Sequence, residues 1–376
     1  MSDKKIGFSV KQEEFSKALQ LVIRAISTRI TLPILSNFLI EVCEGKITVS
    51  STNLDIAISV TLTATETHLG KIAIPGKILS DLVSTLNPGT LSLEIIDGIG
   101  SLVSGKFAAK LNTAPTEDFP VIPTEVGEAR VKIPAKTFSY AIDKVEFAAA
   151  VDESRPILAG VLFDLSEKGL ELVATDGYRL SHAMFSGEFA TKPIRTVIPA
   201  RTLQEVSKLA GQNDEIGVWL SENDKQAVFK AGEVKIVSRI IEGEYPNWRK
   251  IVPDSFSTSI SVAKDEFARA LTQAAVFAKE SGNVVRLGLG DGLGLLVSSV
   301  SREIGEEKNE IEGELSGPSG EIAFNWRYLN DFLGICESEK FTLEILESLK
   351  PGKFTLEKNE TGVEFMHIIM PVRLQE

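Results

Sequence analysis

Cysteine and histidine are the scarcest reactive side chains in this sequence. Cys43, Cys336, His68, His182 and His367 are all there are in 376 residues. Two cysteines far apart exclude a disulfide framework, and each sits in an apolar pattern that reads as a reduced, buried thiol of a cytosolic protein. Three scattered histidines with no cysteine or carboxylate cluster beside them provide no zinc-ligand spacing. No stretch approaches the roughly 20 apolar residues that cross a bilayer. Met1 is followed by Ser-Asp-Lys-Lys rather than by a leader-like apolar run. Positive charge is short as well. The net charge is −12 and the pI is near 5.0, which argues against a general polyanion-binding surface and leaves room only for a local basic face.

Enzyme signatures are missing too. No Ser-His-Asp or Cys-His set stands out. The glycine-rich "GLGDGLG" (288–294) has neither a Walker lysine nor the dinucleotide spacing. Its Asp291-Gly292, set between apolar runs, predicts a hairpin turn instead.

What is present is repetition. "FSKAL" (15–19), "FSYAI" (138–142) and "FARAL" (267–271) each open an apolar stripe at helical spacing, such as Phe15, Ala18, Leu19 and Val22. Phe15 and Phe138, Pro33 and Pro156, and Thr52 and Thr175 are each 123 positions apart. One offset held by three landmarks marks a duplication. A second helix recurs without gaps as "IPGKILSDL" (74–82), "IPARTLQEV" (198–206) and "FNWRYLNDF" (324–332). Each copy carries a basic residue (Lys77, Arg201, Arg327) two positions before a leucine, and an acid (Asp81, Glu205, Asp331) two positions after it. Short alternating runs such as "KITVSS", "LELVA" and "FTLEIL" follow the helices and predict strands. "DFPVIP" (118–123) and "EYPNWRKIVP" (244–253) close the first two copies.

The expected architecture is therefore α+β: three tandem domains at 1–125, 126–253 and 254–376, each with two helices backing antiparallel sheet. Three such units either stack into an open array with polar caps or close on themselves. Neither terminal copy looks like a cap, so closure through self-association is expected, because free edge strands would otherwise invite aggregation. The six helical stretches together carry +3 and the rest of the chain −15. A basic residue at one position of every second helix suits a diffuse, sequence-independent phosphate-facing surface.

The chain resembles the bacterial sliding clamp family, the beta subunit of DNA polymerase III. The resemblance rests on "TLPIL" (31–35), "VATDGYRL" (173–180), "EYPNWRKIVP" and "MPVRL" (370–374), in that order on a threefold repeat. It implies a non-catalytic processivity factor without a cofactor: a head-to-tail homodimer forming a six-domain ring around duplex DNA. It also implies partners, namely a clamp loader, replicative and translesion polymerases and repair proteins, held through short linear motifs. Carried over residue by residue, the peptide pocket comprises Leu158, Thr175, Gly177, Tyr178, Arg179 and Leu180. Pro246, Lys250 and Ile251 join them, with Ile368, Met370, Pro371, Val372, Arg373 and Leu374 from the chain end. Tyr178 replaces a common histidine, Val372 a common methionine, and Gln375-Glu376 extend past the usual terminal leucine. Arg29 and Arg155 match DNA-contacting loops, and Pro156-Ile157 replace a tyrosine pair of the family. Lys77, Arg201 and Arg327 complete the expected DNA contacts. Val276, Phe277 and Leu111 match the ring seam, and Phe107 is the candidate substitute for an aromatic missing at Ala109. Two other readings stay open at this point: an acidic peptide-binding scaffold that does not touch nucleic acid, and an enzyme using a cleft around Asp176 and Arg179.

Overall fold

The computed structural model describes residues 5–26, 32–122, 131–152, 154–187, 189, 193–210, 213–221, 225–290, 294–357 and 361–373. Arg29, Leu374, Gln375-Glu376 and the Asp291-Gly292 turn lie outside them. The strands on either side of that turn, Val284–Gly290 and Gly294–Ser301, pair antiparallel.

Among the described residues six α-helices form at the stripes and the recurring second motif: α1 (Gln12–Val22), α2 (Gly76–Thr85), α3 (Ala135–Asp143), α4 (Ala200–Ala210), α5 (Lys264–Ala278) and α6 (Trp326–Ile335). α1 buries Phe15, Ala18, Leu19 and Val22, and Phe15 meets Phe8 edge to face at 5.7 Å. α5 buries Phe267, Ala270, Leu271 and Ala274. In the core of the third repeat Phe267 and Phe332 each pack against Phe341 at 5.2 Å. Each first helix is entered from a strand (Ile6–Lys11, Val131–Pro134, Thr258–Ala263), so every repeat begins with a strand rather than with its helix.

The chain divides into two compact units. The first, Met1–Ile133 with Gln212–Ile240, holds a five-stranded and an eight-stranded sheet; the second, Pro134–Gly211 with Ile241–Glu376, holds a nine-stranded and a four-stranded sheet. These units cut the chain differently from the repeats, because sheets run across the repeat junctions. Strand Val234–Arg239 of the second repeat pairs antiparallel with Ile56–Thr63 of the first. Strand Glu364–Ile369 of the third pairs in the same way with Arg179–Ser186 of the second. Such joins give edge strands a partner along the chain.

The duplication is visible down to single hydrogen bonds. Ala114 N donates to Ala73 O (2.8 Å), Ile241 N to Val197 O (2.9 Å) and Val372 N to Ala323 O (2.8 Å). In each repeat the chain leaving the last strand is thus pinned to an equivalent edge strand. In the first two repeats it continues over an apolar patch. Phe119 covers Leu39 and Ala73; Tyr245 and Trp248 cover Leu162, Val173 and Val197. The recurring aromatic-proline ending is this cover.

Of the two thiols, Cys336 is buried but Cys43 is exposed. Cys43 ends strand Asn37–Cys43 where the chain turns at Glu44-Gly45, so the alternation that buries Val42 puts its neighbour outside. Among the described residues no helix is long and apolar enough to cross a membrane.

Candidate functional site

The "VATDGYRL" segment folds as a tight corner between strands Gly169–Thr175 and Arg179–Ser186. The Thr175 hydroxyl donates to Arg179 O (2.6 Å) and accepts from Gly177 N (3.1 Å). Asp176 Oδ1 accepts from Tyr178 N (2.8 Å) and Arg179 N (3.0 Å). The first repeat builds the same corner from Thr52 and Asn53. There the left-handed position falls on Leu54 (φ +80°), whereas the second repeat has Gly177 (φ +92°), which adopts it without strain. The corner is inherited; Tyr178 and Arg179 are what the second repeat adds.

Strand Glu364–Ile369 lies beside this corner, with Leu180 opposite Ile368, and Met370 N donates to Tyr178 O at 2.8 Å. Leu158, Thr175, Leu180 and Ile368 are buried. Pro246, Ile251, Pro371 and Val372 are half-buried, while Lys250, Met370 and Arg373 are exposed. Leu180, Ile368 and Ile251 share one apolar cluster with Tyr245 and Trp248, and Tyr245 Oη donates to Val173 O. The result is an apolar floor with a partly open rim and few polar anchors, a form that suits a short extended peptide.

Arg179 is only 9% exposed. Its Nε reaches Asp176 (3.1 Å), Nη1 reaches Asp331 on α6 (2.5 Å) and Nη2 donates to Phe147 O (2.9 Å). The guanidinium also lies over the rings of Tyr328 (4.8 Å) and Phe147 (5.4 Å). Arg179 therefore ties the corner to α6 and has little left for a ligand. Tyr178, by contrast, is 57% exposed, and its ring is nearly parallel to that of Tyr328 at 6.5 Å. Sequence reasoning missed Tyr328, Trp248 and Asp331. Tyr328 directly follows the recurring base of the second-helix motif, and that position alone marked it.

Behind the rim, His367 is fully buried among Phe147, Phe332 and Phe354. Its Nδ1 shares a 2.7 Å hydrogen bond with Ser181 Oγ, and Nε2 has no partner. Burial, helped by the Arg179 charge, holds its pKa down to about 3 from an ordinary 6.5. The folded protein thus refuses a proton that the unfolded chain accepts, so stability falls as pH drops from 6.5 towards 3, by roughly 1.4 kcal/mol per pH unit. Urea unfolding of His367→Gln is expected to lose that share of the acid slope. An unchanged slope between pH 6 and 4 would mean that other groups carry it.

The recurring cations fall at one helical position. Lys77, Arg201 and Arg327 are each the second residue of α2, α4 and α6, all exposed. Arg155, also exposed, precedes the short helical turn Pro156–Ala159. A base in the first turn opposes the helix dipole, which favours acids there. α1 (Glu13, Glu14) and α5 (Asp265, Glu266) obey that preference, while α2, α3, α4 and α6 have no acid in the first turn, and in α3 the exposed Lys136 takes the same second position. Four helix N-termini each joined by a cation, three of them at the recurring second-helix position, make concentrated positive ends suited to phosphate.

Of the expected seam residues, Phe107 and Leu111 lie on an edge strand and Val276 and Phe277 on α5. Phe107 opens Phe107–Asn112, the outer strand of the five-stranded sheet; it is half-buried and Leu111 is buried. A cleft of about 600 Å³ beside it is lined by residues 85–90 and 104–107. Val276 on α5 is 60% exposed and Phe277 half-buried. Gly305–Ile311 is the outer strand of the four-stranded sheet. The first edge bears Lys106 and Lys110; the second bears Glu306, Glu307 and Glu310 against one cation, Lys308, which pairs with Glu306 at 3.2 Å. Glu307 Oε2 is buried without a partner, and burial raises the pKa of its carboxyl.

Family profiles of the DNA polymerase III beta subunit match almost end to end: the N-terminal domain over 6–123, the central domain over 132–247 and the C-terminal domain over 249–373. The chain belongs to the DNA polymerase III beta subunit family. It is 30% identical over 388 residues to the beta sliding clamp of Synechocystis sp., covering 97% of this chain and 98% of that one. To the beta sliding clamp of Staphylococcus aureus it is 29% identical over 379 residues, covering 97% and 99%. The solved DNA polymerase III beta chain of Streptococcus pneumoniae superposes with a TM-score of 0.91 at 29% identity, over 98% of this chain and 100% of that one. The clamp fold thus accounts for all three repeats. Among the described residues no group of three or more His, Cys, Asp or Glu side chains is placed to hold a metal ion.

Proposed function

We propose that this chain is a sliding clamp, a non-catalytic processivity subunit that encircles duplex DNA and tethers the replicative polymerase. Its clamp domains are 1–125, 126–253 and 254–376, and it works in the cytoplasm. The observation that carries the reading is the exposed cation in the first turn of the second helix of every family domain. Such a lining attracts phosphates without reading bases, and weak, uniform contacts are what permit sliding.

Two copies close head to tail, the Phe107–Asn112 edge of one meeting the Gly305–Ile311 edge of the other. Opposite charge on the two edges supports that pairing, as do the cleft beside Phe107 and the exposed Val276. Clamp loader, polymerases and repair proteins dock through short apolar segments on the Tyr178–Met370 pocket. An acidic exterior keeps DNA off the outside, so retention is topological rather than adhesive.

The test is retention on DNA. Loaded onto nicked circular duplex by a bacterial clamp loader, the protein should stay bound through a high-salt wash and be released when the circle is linearised. Equal retention on linear and circular DNA would remove the ring from the account.

A further inference from the structure

α6 ends against α3 in an arrangement that packing alone does not require. Lys144, the residue capping the C-terminus of α3, is 1% exposed. Its Nζ donates to Ile335 O, the last carbonyl of α6, lies 3.6 Å from the Glu337 carboxylate, and sits 4.5 Å from the centre of the Tyr140 ring. Lys264, the first residue of α5, donates to the next carbonyl, Cys336 O. Two ammonium groups from different repeats therefore cap the negative end of one helix. Burying an ammonium is costly, and an apolar side chain of the same length would fill the space more cheaply. Burial indeed lowers the Lys144 pKa. What the lysine contributes is position.

The opposite end of α6 carries Tyr328, whose ring lies under the Arg179 guanidinium and stacks near Tyr178. Asp331, midway, is held by Arg179. The helix is thus pinned to the second repeat at three places: Ile335 O by Lys144, Asp331 by Arg179, and the Tyr328 ring by the pocket corner.

We propose that Lys144 is a positioning residue for the peptide pocket, fixing α6 so that Tyr328 backs the exposed Tyr178. This rests on the reading of the pocket as a peptide site. Without the Ile335 anchor, the C-terminal end of α6 keeps Lys264 and its own core but loses its tie to the second repeat, so the helix can tilt on that core and carry Tyr328 away from Tyr178. The pocket then loses its aromatic wall with no change in any residue lining it.

The experiment uses the full chain with Lys144→Met, which keeps side-chain length and removes the charge. Three quantities are read: the urea midpoint, hydrogen exchange of the α6 amides without ligand, and affinity for a labelled peptide Ser-Leu-Ser-Leu-Phe. That probe is chosen for its aliphatic and aromatic side chains. Expected are an unchanged or higher midpoint, faster exchange confined to α6 and its contacts, and about tenfold weaker peptide binding. The same loss should not recur when Lys144→Met is added to Tyr328→Ala. A purely structural lysine would move the midpoint and leave the affinity of the folded protein alone, and that result overturns the proposal. So does unchanged α6 exchange, whatever the peptide does. Wild-type protein that ignores the peptide would instead count against the pocket reading, while the exchange comparison still decides the role of Lys144. Should Lys144→Met fail to fold, Glu337→Gln removes only the exposed counter-charge. It is expected to speed α6 exchange severalfold, and no change there overturns the proposal.

Discussion

Deleting residues 370–376 is expected to abolish peptide capture while leaving the fold intact. Strand Glu364–Ile369 keeps its ladders to Arg179–Ser186 and Gly352–Leu356, so its core contacts through Ile368 and Ile369 survive. What goes is the rim. Met370 is tied to Tyr178 O, Val372 is tied to Ala323 O, and Pro371 is half-buried between them. A peptide leucine and phenylalanine each lose about 2 kcal/mol or more when their apolar cover is removed. Two such losses correspond to at least a hundredfold weaker binding. Fluorescence anisotropy with the Ser-Leu-Ser-Leu-Phe probe measures it, and native mass spectrometry checks that the oligomer is unchanged. Binding within threefold of the full chain would place the peptide elsewhere.

The second large effect concerns the seam. Lys106→Glu with Lys110→Glu places like charge on both proposed edges, since Glu306, Glu307 and Glu310 occupy the other. Like-charge juxtaposition at an interface costs several kcal/mol, so the dimer constant should weaken by a factor of 100 or more. Sedimentation at micromolar concentration would then show monomer. Because the two edges differ and meet head to tail, adding Glu306→Lys and Glu310→Lys to the same chain reverses both seams and should restore the dimer. A charge-reversed protein that stays dimeric, or a combined variant that stays monomeric, would refute this pairing. Replacing Arg155, Arg201 and Arg327 with glutamate separates the clamp from a scaffold indifferent to DNA: only the clamp loses loading.

Much of this molecule was legible in its letters because duplication preserves spacing. The 123-residue offset from Phe15 to Phe138 survives as matched helices, and from Thr52 to Thr175 as matched corners with the same hydroxyl and carboxamide or carboxylate bonds. Local periodicity located α1, α3 and α5, whose buried faces are the stripes counted in the sequence, and a recurring nine-residue spelling located α2, α4 and α6. What periodicity does not encode is which distant strand completes a sheet, so the pairing of Val234–Arg239 with Ile56–Thr63 was invisible. The pocket was readable as a set of positions, yet the division of labour within it was not. Arg179 looks like a ligand contact until Asp176, Asp331 and Phe147 O are seen to take three of its five N–H groups. Lys144 looks like a solvated helical lysine until Ile335 O is found at its tip. Cys43 shows the converse error, since one residue of register separates an inward from an outward side chain at a strand end.

The strand that crosses each repeat junction has a consequence for how such a chain can be divided. Removing the first repeat would bare the flank of Val234–Arg239 along its whole length, leaving a sticky ribbon open to any stray chain. Each repeat of this chain therefore relies on a strand of its neighbour, so separate expression of the repeats should give aggregates.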